Sequence, residues 1–97
     1  IHRLYFGNIY IVHMSKLTPI LAKELRGKQI RVNIIAPGPT ATPLFFDGKS
    51  DELIQKLSLA NPLERLGTPE DIAEAVNSVI DSKWVNGQVI FVNGGMA

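Results

Sequence analysis

Apolar positions along the chain follow two different periods. Leu17, Ile20, Leu21 and Leu25 recur at spacings of three and four, as do Ile72, Ala75, Val76 and Val79; each set lies on one face of a helix. Both sets are introduced by a Thr-Pro pair, Thr18-Pro19 and Thr68-Pro69. Threonine is a good N-cap, and proline suits the first helical position because its missing N–H would have no partner there. The first pair predicts a helix over 19–26 that stops at Gly27, and the second a helix over 69–80. Asp71 falls three residues after Thr68, near a capping box, and with Glu70 places two acids where the helix dipole favours them. Ser50 through Leu57 reads as a short capped helix with Leu53, Ile54 and Leu57 facing inward. The stretches 29–36 and 88–93 are instead β-branched and alternating or continuously apolar, which predicts two strands. Pro37-Gly38-Pro39 ends the first and Gly94-Gly95 the second, with Asn86-Gly87 a turn before it.

The order is helix, strand, helix, helix, strand. Strands separated by helices imply parallel pairing through right-handed crossovers, so the fold class is α/β. Two parallel strands make a poor sheet, because such sheets bury both faces and are normally larger. The pattern is that of the last third of an α/β sandwich whose other strands are absent. Composition narrows the chemistry. The chain has 97 residues, 10 Lys+Arg against 9 Asp+Glu, 2 His and no Cys. Absent cysteine excludes disulfides, thiolate zinc sites and cysteine nucleophiles, and His2 and His13 match no metal spacing. A net charge of +1 supplies no field for nucleic acid or anionic lipid, and no window approaches the ~18 apolar residues of a membrane span. The first residues do not read as a signal peptide, and the expectation from an opening at Ile1 is a chain that is processed, truncated or incompletely observed. Cytoplasmic localisation is the expectation.

In open α/β sheets, ligands bind beyond the carboxyl ends of strands. The turn after the first strand carries Thr40 and Thr42, whose hydroxyls and backbone N–H groups suit a phosphate or amide. Three segments resemble the short-chain dehydrogenase/reductase family: Asn33-x-x-Ala36-Pro37-Gly38-x-x-x-Thr42, the run from Leu63 to Ala73, and the run from Trp84 to Gly95. The resemblance covers 14–97 and leaves 1–13 unmatched, and it implies that the chain is the C-terminal portion of a doubly wound Rossmann-type parallel sheet, incomplete as a domain over 1–97. It implies hydride transfer between NAD or NADP and a small-molecule carbonyl or secondary alcohol. Carried over position by position, it places Pro37 and Gly38 along the nicotinamide. The Thr40 backbone falls at the carboxamide and Thr42 at the pyrophosphate. Residues 43–66, with Leu44, Phe45 and Phe46, match the lid over the substrate. Helix 19–26 and strand 88–93 match contacts of a homo-oligomer.

The resemblance makes Lys16 the catalytic lysine that holds the nicotinamide ribose. The family's Tyr-x-x-x-Lys then puts Val12 where the tyrosine should be. Tyr10 lies six residues before Lys16, about 240° round a helix, and could serve only if that approach were not helical. Pro19 would kink or start the helix there. The glycine-rich dinucleotide loop is absent from the sequence, so the chain alone is expected to be inactive and to bind the dinucleotide poorly. The alternative is a non-catalytic remnant that buries its open edges by self-association.

Overall fold

A computed structural model describes residues 7–96, with side chains from Lys16 onward. The elements are α1 (Gly7–Glu24), β1 (Ile34–Pro37), α2 (Pro43–Phe46), α3 (Asp51–Ser58), α4 (Pro69–Asp81) and β2 (Val89–Val92). The two strands are hydrogen-bonded neighbours in one sheet. The Ile34 N–H donates to the Gln88 carbonyl at 2.9 Å and the Gly38 N–H to the Val92 carbonyl at 2.9 Å, so both strands advance together and the pair is parallel. The described chain falls into two compact units, one of residues 7–34 and 79–90, the other of 35–78 and 91–96.

In the first unit, α1 does not start at Pro19. It runs through that residue from Gly7. Proline removes one N–H and crowds one carbonyl, and 18 residues of helix absorb that single loss. The face that packs is also not the leucine stripe. Thr18 is buried to 2% exposure, whereas Leu17, Ile20 and Leu21 are exposed. Pro19 and Ala22 lie against the turn before β2, where a Cβ on Gly87 would meet the Ala22 Cβ at 3.3 Å. Gly87 also holds φ at +71°, so only glycine serves there without strain.

The first strand is shorter than its sequence pattern. Residues 30–33 lie outside the strand. Around Val32 the polar groups are met by one amide side chain and one backbone N–H from the turn before β2. The Val32 N–H donates to Asn86 Oδ1 at 2.9 Å, and the Gly87 N–H donates to the Val32 carbonyl at 2.8 Å. Asn33 bridges the same turn, its Nδ2 donating to the Val85 carbonyl at 3.0 Å and its Oδ1 accepting from Gln88 N–H at 3.1 Å. Arg31 closes the end of α4. Its guanidinium donates to the carbonyls of Val79, Ile80, Ser82 and Val85 at 2.8–3.2 Å. The last carbonyls of a helix have no intrahelical partner, and a cation is favoured there.

In the second unit, Ser50 caps α3, its hydroxyl accepting from Leu53 N–H at 3.2 Å. Ile54 and Leu57 are half-buried, but Leu53 is 42% exposed and does not face inward. Asn61 is buried to 6% exposure and ties its own turn together, donating from Nδ2 to the Arg65 carbonyl at 2.7 Å and accepting from Leu63 N–H at 3.0 Å. Gly94 and Gly95 lie directly on that turn, where a Cβ on Gly94 would sit 2.5 Å from Asn61 Oδ1. Ala36 is the single buried apolar side chain among the described residues.

Replacing Arg31 with alanine takes a charged donor from four carbonyls at and beyond the end of α4, of which those of Val79 and Ser82 also accept from backbone N–H groups outside the helix ladder, those of Ser82 and Val85. The expected loss is about 2–3 kcal/mol of unfolding free energy, read by urea denaturation followed by far-UV circular dichroism. Retention of full stability would remove Arg31 from its place as the cap of α4.

Candidate functional site

The candidate site is the turn from Pro37 to Thr42, in the second unit. Two neighbours hold it. On one side the Gly38 N–H bonds the Val92 carbonyl, and the backbones approach so closely that a Cβ on Gly38 would fall 2.7 Å from the Asn93 Cβ. On the other side Thr40 and Gly67 form a parallel bridge. Its two bonds are Ala41 N–H to the Gly67 carbonyl at 2.8 Å and Gly67 N–H to the Pro39 carbonyl at 3.0 Å. The bridge is thus made by the neighbours of Thr40, and the N–H and C=O of Thr40 itself take no part in it.

The two threonine hydroxyls have different capacities left. A hydroxyl has one proton to give and two lone pairs to receive. Thr40 Oγ1 donates to the Gly38 carbonyl at 2.9 Å, so its proton is committed inside the turn. Thr42 Oγ1 caps α2 by accepting from Phe45 N–H at 3.1 Å, which leaves its proton free to give to an anionic oxygen. In α2, just after the turn, Phe45 and Phe46 meet edge to face with centroids 5.5 Å apart. Lys49 Nζ stands 4.5 Å over the Phe45 ring and bonds the Phe45 carbonyl, which fixes that ring. Leu44 and Phe46 are exposed.

Gly67 is itself anchored by the start of α4. Asp71 accepts from Thr68 N–H at 2.8 Å and from the Thr68 hydroxyl at 3.0 Å, while Thr68 Oγ1 accepts from Asp71 N–H at 3.1 Å. Arg65 adds a forked ion pair to the same carboxylate, with contacts of 2.7 and 3.3 Å. The Arg65 guanidinium, and then the two Thr68 bonds, hold the Asp71 carboxyl well below the usual carboxylate range, and Asp71 raises the Arg65 guanidinium in turn. Behind the turn is a cavity of about 210 Å³, reached by Pro39, Asn61, Arg65, Ile72, Val92 and Asn93. None of Pro37, Gly38, Thr40 or Thr42 lines it.

Lys16 lies in α1, exposed, in the first unit, whereas the turn belongs to the second. The segment around Tyr10 and Val12 is helical, so the non-helical approach that Tyr10 would need is not present. The side chains of Tyr10, Val12 and His13, and all of His2, lie outside the described residues. No group of acidic or histidine side chains among the described residues could hold a metal ion. No described helix is long and apolar enough to cross a membrane. The sequence pattern missed the roles of Gly67 and Asn93, which hold the turn from the two sides. Only the glycine in each neighbourhood hinted at close backbone approach.

A parallel pair of strands whose connection carries three helices is a piece of a doubly wound α/β sheet. The sequence profile described as enoyl-(acyl carrier protein) reductase matches residues 12–97. A short-chain type dehydrogenase/reductase of Picea abies is 51% identical over 84 residues. A protein of Arabidopsis thaliana named NADPH-dependent aldehyde reductase-like, chloroplastic, is 47% identical over 84 residues. Each alignment takes in 84% of this chain and 31% of the relative, so the chain spans about a third of their length. Among solved structures, a 3-oxoacyl-[acyl-carrier protein] reductase of Brucella melitensis superposes with a TM-score of 0.79 at 34% identity, covering 88% of this chain and 32% of that one. A short chain dehydrogenase family protein of Francisella tularensis gives 0.77 at 32%, covering 87% and 40%. The chain belongs to the short-chain dehydrogenase/reductase family.

The depressed Asp71 carboxyl has a stability consequence. A group whose folded pKa lies below its unfolded value stabilises the fold above the unfolded value, near 3.8, and loses that contribution as pH falls toward the folded one. Stability should therefore drop as pH is lowered below about 4. Asp71→Asn should be less stable at neutral pH and should flatten that acid limb. An Asp71→Asn chain with the parent's full acid limb in urea denaturation across pH would refute this account.

Proposed function

We propose that this chain forms the C-terminal part of an NAD(P)-dependent reductase that moves hydride between a nicotinamide and a small carbonyl compound or secondary alcohol. The observation that carries the proposal is the turn at 37–42, braced on both sides, with the Thr42 hydroxyl proton still free. The donor set suits a dinucleotide, because a free hydroxyl proton and an unengaged Thr40 backbone favour phosphate and carboxamide oxygens. Thr42 would take the pyrophosphate, the Thr40 backbone the carboxamide, and Pro37 and Gly38 would flank the ring. Lys16 would hold the ribose. Leu44, Phe45 and Phe46 would close over the substrate and exclude water. The nicotinamide supplies the hydride when bound. The Arabidopsis relative named NADPH-dependent favours the phosphorylated dinucleotide. The cysteine-free, nearly neutral composition favours a cytoplasmic setting.

Proton delivery is the missing part. A phenol one helical turn before the lysine shares its face and has its pKa lowered by the ammonium, and Val12 cannot do this. The test is a chimera in which this chain replaces the matching C-terminal third of an active family reductase. With Val12 the chimera should reduce carbonyls slowly or not at all. Val12→Tyr should raise kcat by about 100-fold or more, and Lys16→Ala should abolish the gain. A folded Val12→Tyr chimera that binds NADPH and stays inactive would sink the proposal.

A second reading is favoured by exposed apolar residues. Ile20 and Leu21 in α1 face solvent, and in the other unit so does Phe91 in β2; exposed apolar surface drives association. On this reading the chain is a non-catalytic remnant that pairs with copies of itself through 19–26 and 88–93. Light scattering of the 97-residue chain should then give a dimer or larger. A stable monomer with a cooperative melt would exclude it.

A further inference from the structure

Two Asn-Gly dipeptides occur, Asn86-Gly87 and Asn93-Gly94, and the structure treats them in opposite ways. We infer that Asn93 is a site of spontaneous deamidation, activated by its own turn, and that Asn86 is protected.

Deamidation begins when the backbone nitrogen of the following residue attacks the asparagine Cγ. Glycine permits this approach because it has no Cβ to obstruct it. At Asn93 the amide carbonyl is already polarised. Its Oδ1 accepts from Gly95 N–H at 2.9 Å and from Met96 N–H at 3.1 Å. Two backbone donors on one oxygen are the arrangement that stabilises an oxyanion as charge develops there. The attacking nitrogen is unengaged, since no hydrogen bond among the described residues holds the Gly94 N–H. Asn93 is half-buried and lines the cavity behind the turn, which gives water and hydroxide a route.

Asn86 is more exposed, yet it is clasped. Its Oδ1 accepts from Val32 N–H at 2.9 Å, and the nitrogen that would attack, Gly87 N–H, donates to the Val32 carbonyl at 2.8 Å. Both partners of the reaction are tied to one peptide unit, and freeing the nucleophile costs a hydrogen bond before any bond forms.

The chemistry balances without an oxidant. Gly94 N loses its proton to hydroxide and bonds to Cγ. The Cγ–Nδ2 bond then breaks, and Nδ2 leaves as ammonia with a proton from water. Water next opens the succinimide. Cleavage of the bond between Cγ and nitrogen gives aspartate. Cleavage at the main-chain carbonyl gives isoaspartate, which inserts a methylene into the backbone. That insertion falls beside Gly94, where Asn61 leaves no room even for a Cβ, so the isoaspartyl product should release Gly94-Gly95 from the Asn61-Pro62 turn.

The test uses the intact chain held at mildly alkaline pH, in native buffer and in concentrated urea. Peptide mapping by mass spectrometry follows the change of amide NH2 to OH at each asparagine, and isoaspartyl methyltransferase labels the rearranged product. In native buffer Asn93 should react about ten-fold faster than Asn86. In urea, where both turns are lost, the two rates should converge. Equal native rates, a faster Asn86, or a native ratio no larger than that in urea would each overturn the inference.

Discussion

A buried or half-buried backbone group must find a partner, and in this chain the ladder between β1 and β2 is too short to supply them all. Side chains make up the difference. Arg31 gathers four carbonyls at the end of α4. Asn33 and Asn86 join residues 32–33 to the turn before β2 as a ladder would, but through amide side chains. Asn61 does the same for the turn under Gly94. An amide carries both a donor and an acceptor, so a single residue can stand in for a missing peptide pair. With one buried apolar side chain among the described residues, these polar bonds fix the local geometry more than packing does.

The candidate turn shows how that geometry reaches the site. Asp71 and Arg65 lock Thr68, Thr68 follows Gly67, and Gly67 pairs with the backbone on either side of Thr40. From the opposite side, Gly38 must remain glycine because Asn93 occupies the place of its side chain. The hydroxyl of Thr42 is thus presented from a backbone held at two points, and precise placement of donors is what a bound anion rewards.

Short-range signals were legible. The Ser50 cap and the Thr68–Asp71 box are local contacts between residues three apart, and the sequence pattern locates both. The parallel pairing followed from the order of elements. Pro19 was misleading, because its local rule favours a helix start and the neighbouring turns of α1 outweigh it. The 29–36 strand was overextended because β-branched spacing does not reveal whether a partner strand reaches that far. Arg31 was invisible for a related reason, since its partners lie about fifty residues away in sequence. The pattern places a Pro-Gly turn at 37–39 after the first strand, but does not reveal how the hydroxyl protons divide between Thr40 and Thr42.

Trp84, the one tryptophan of the chain, is 99% exposed in the turn between α4 and β2. An indole already surrounded by water in the folded state emits at the long-wavelength, solvent-relaxed limit and is open to collisional quenchers such as iodide. Its fluorescence therefore has little distance left to travel when the chain unfolds. The intrinsic emission that serves as a folding signal in many proteins becomes here a reporter of whatever covers the α4–β2 turn.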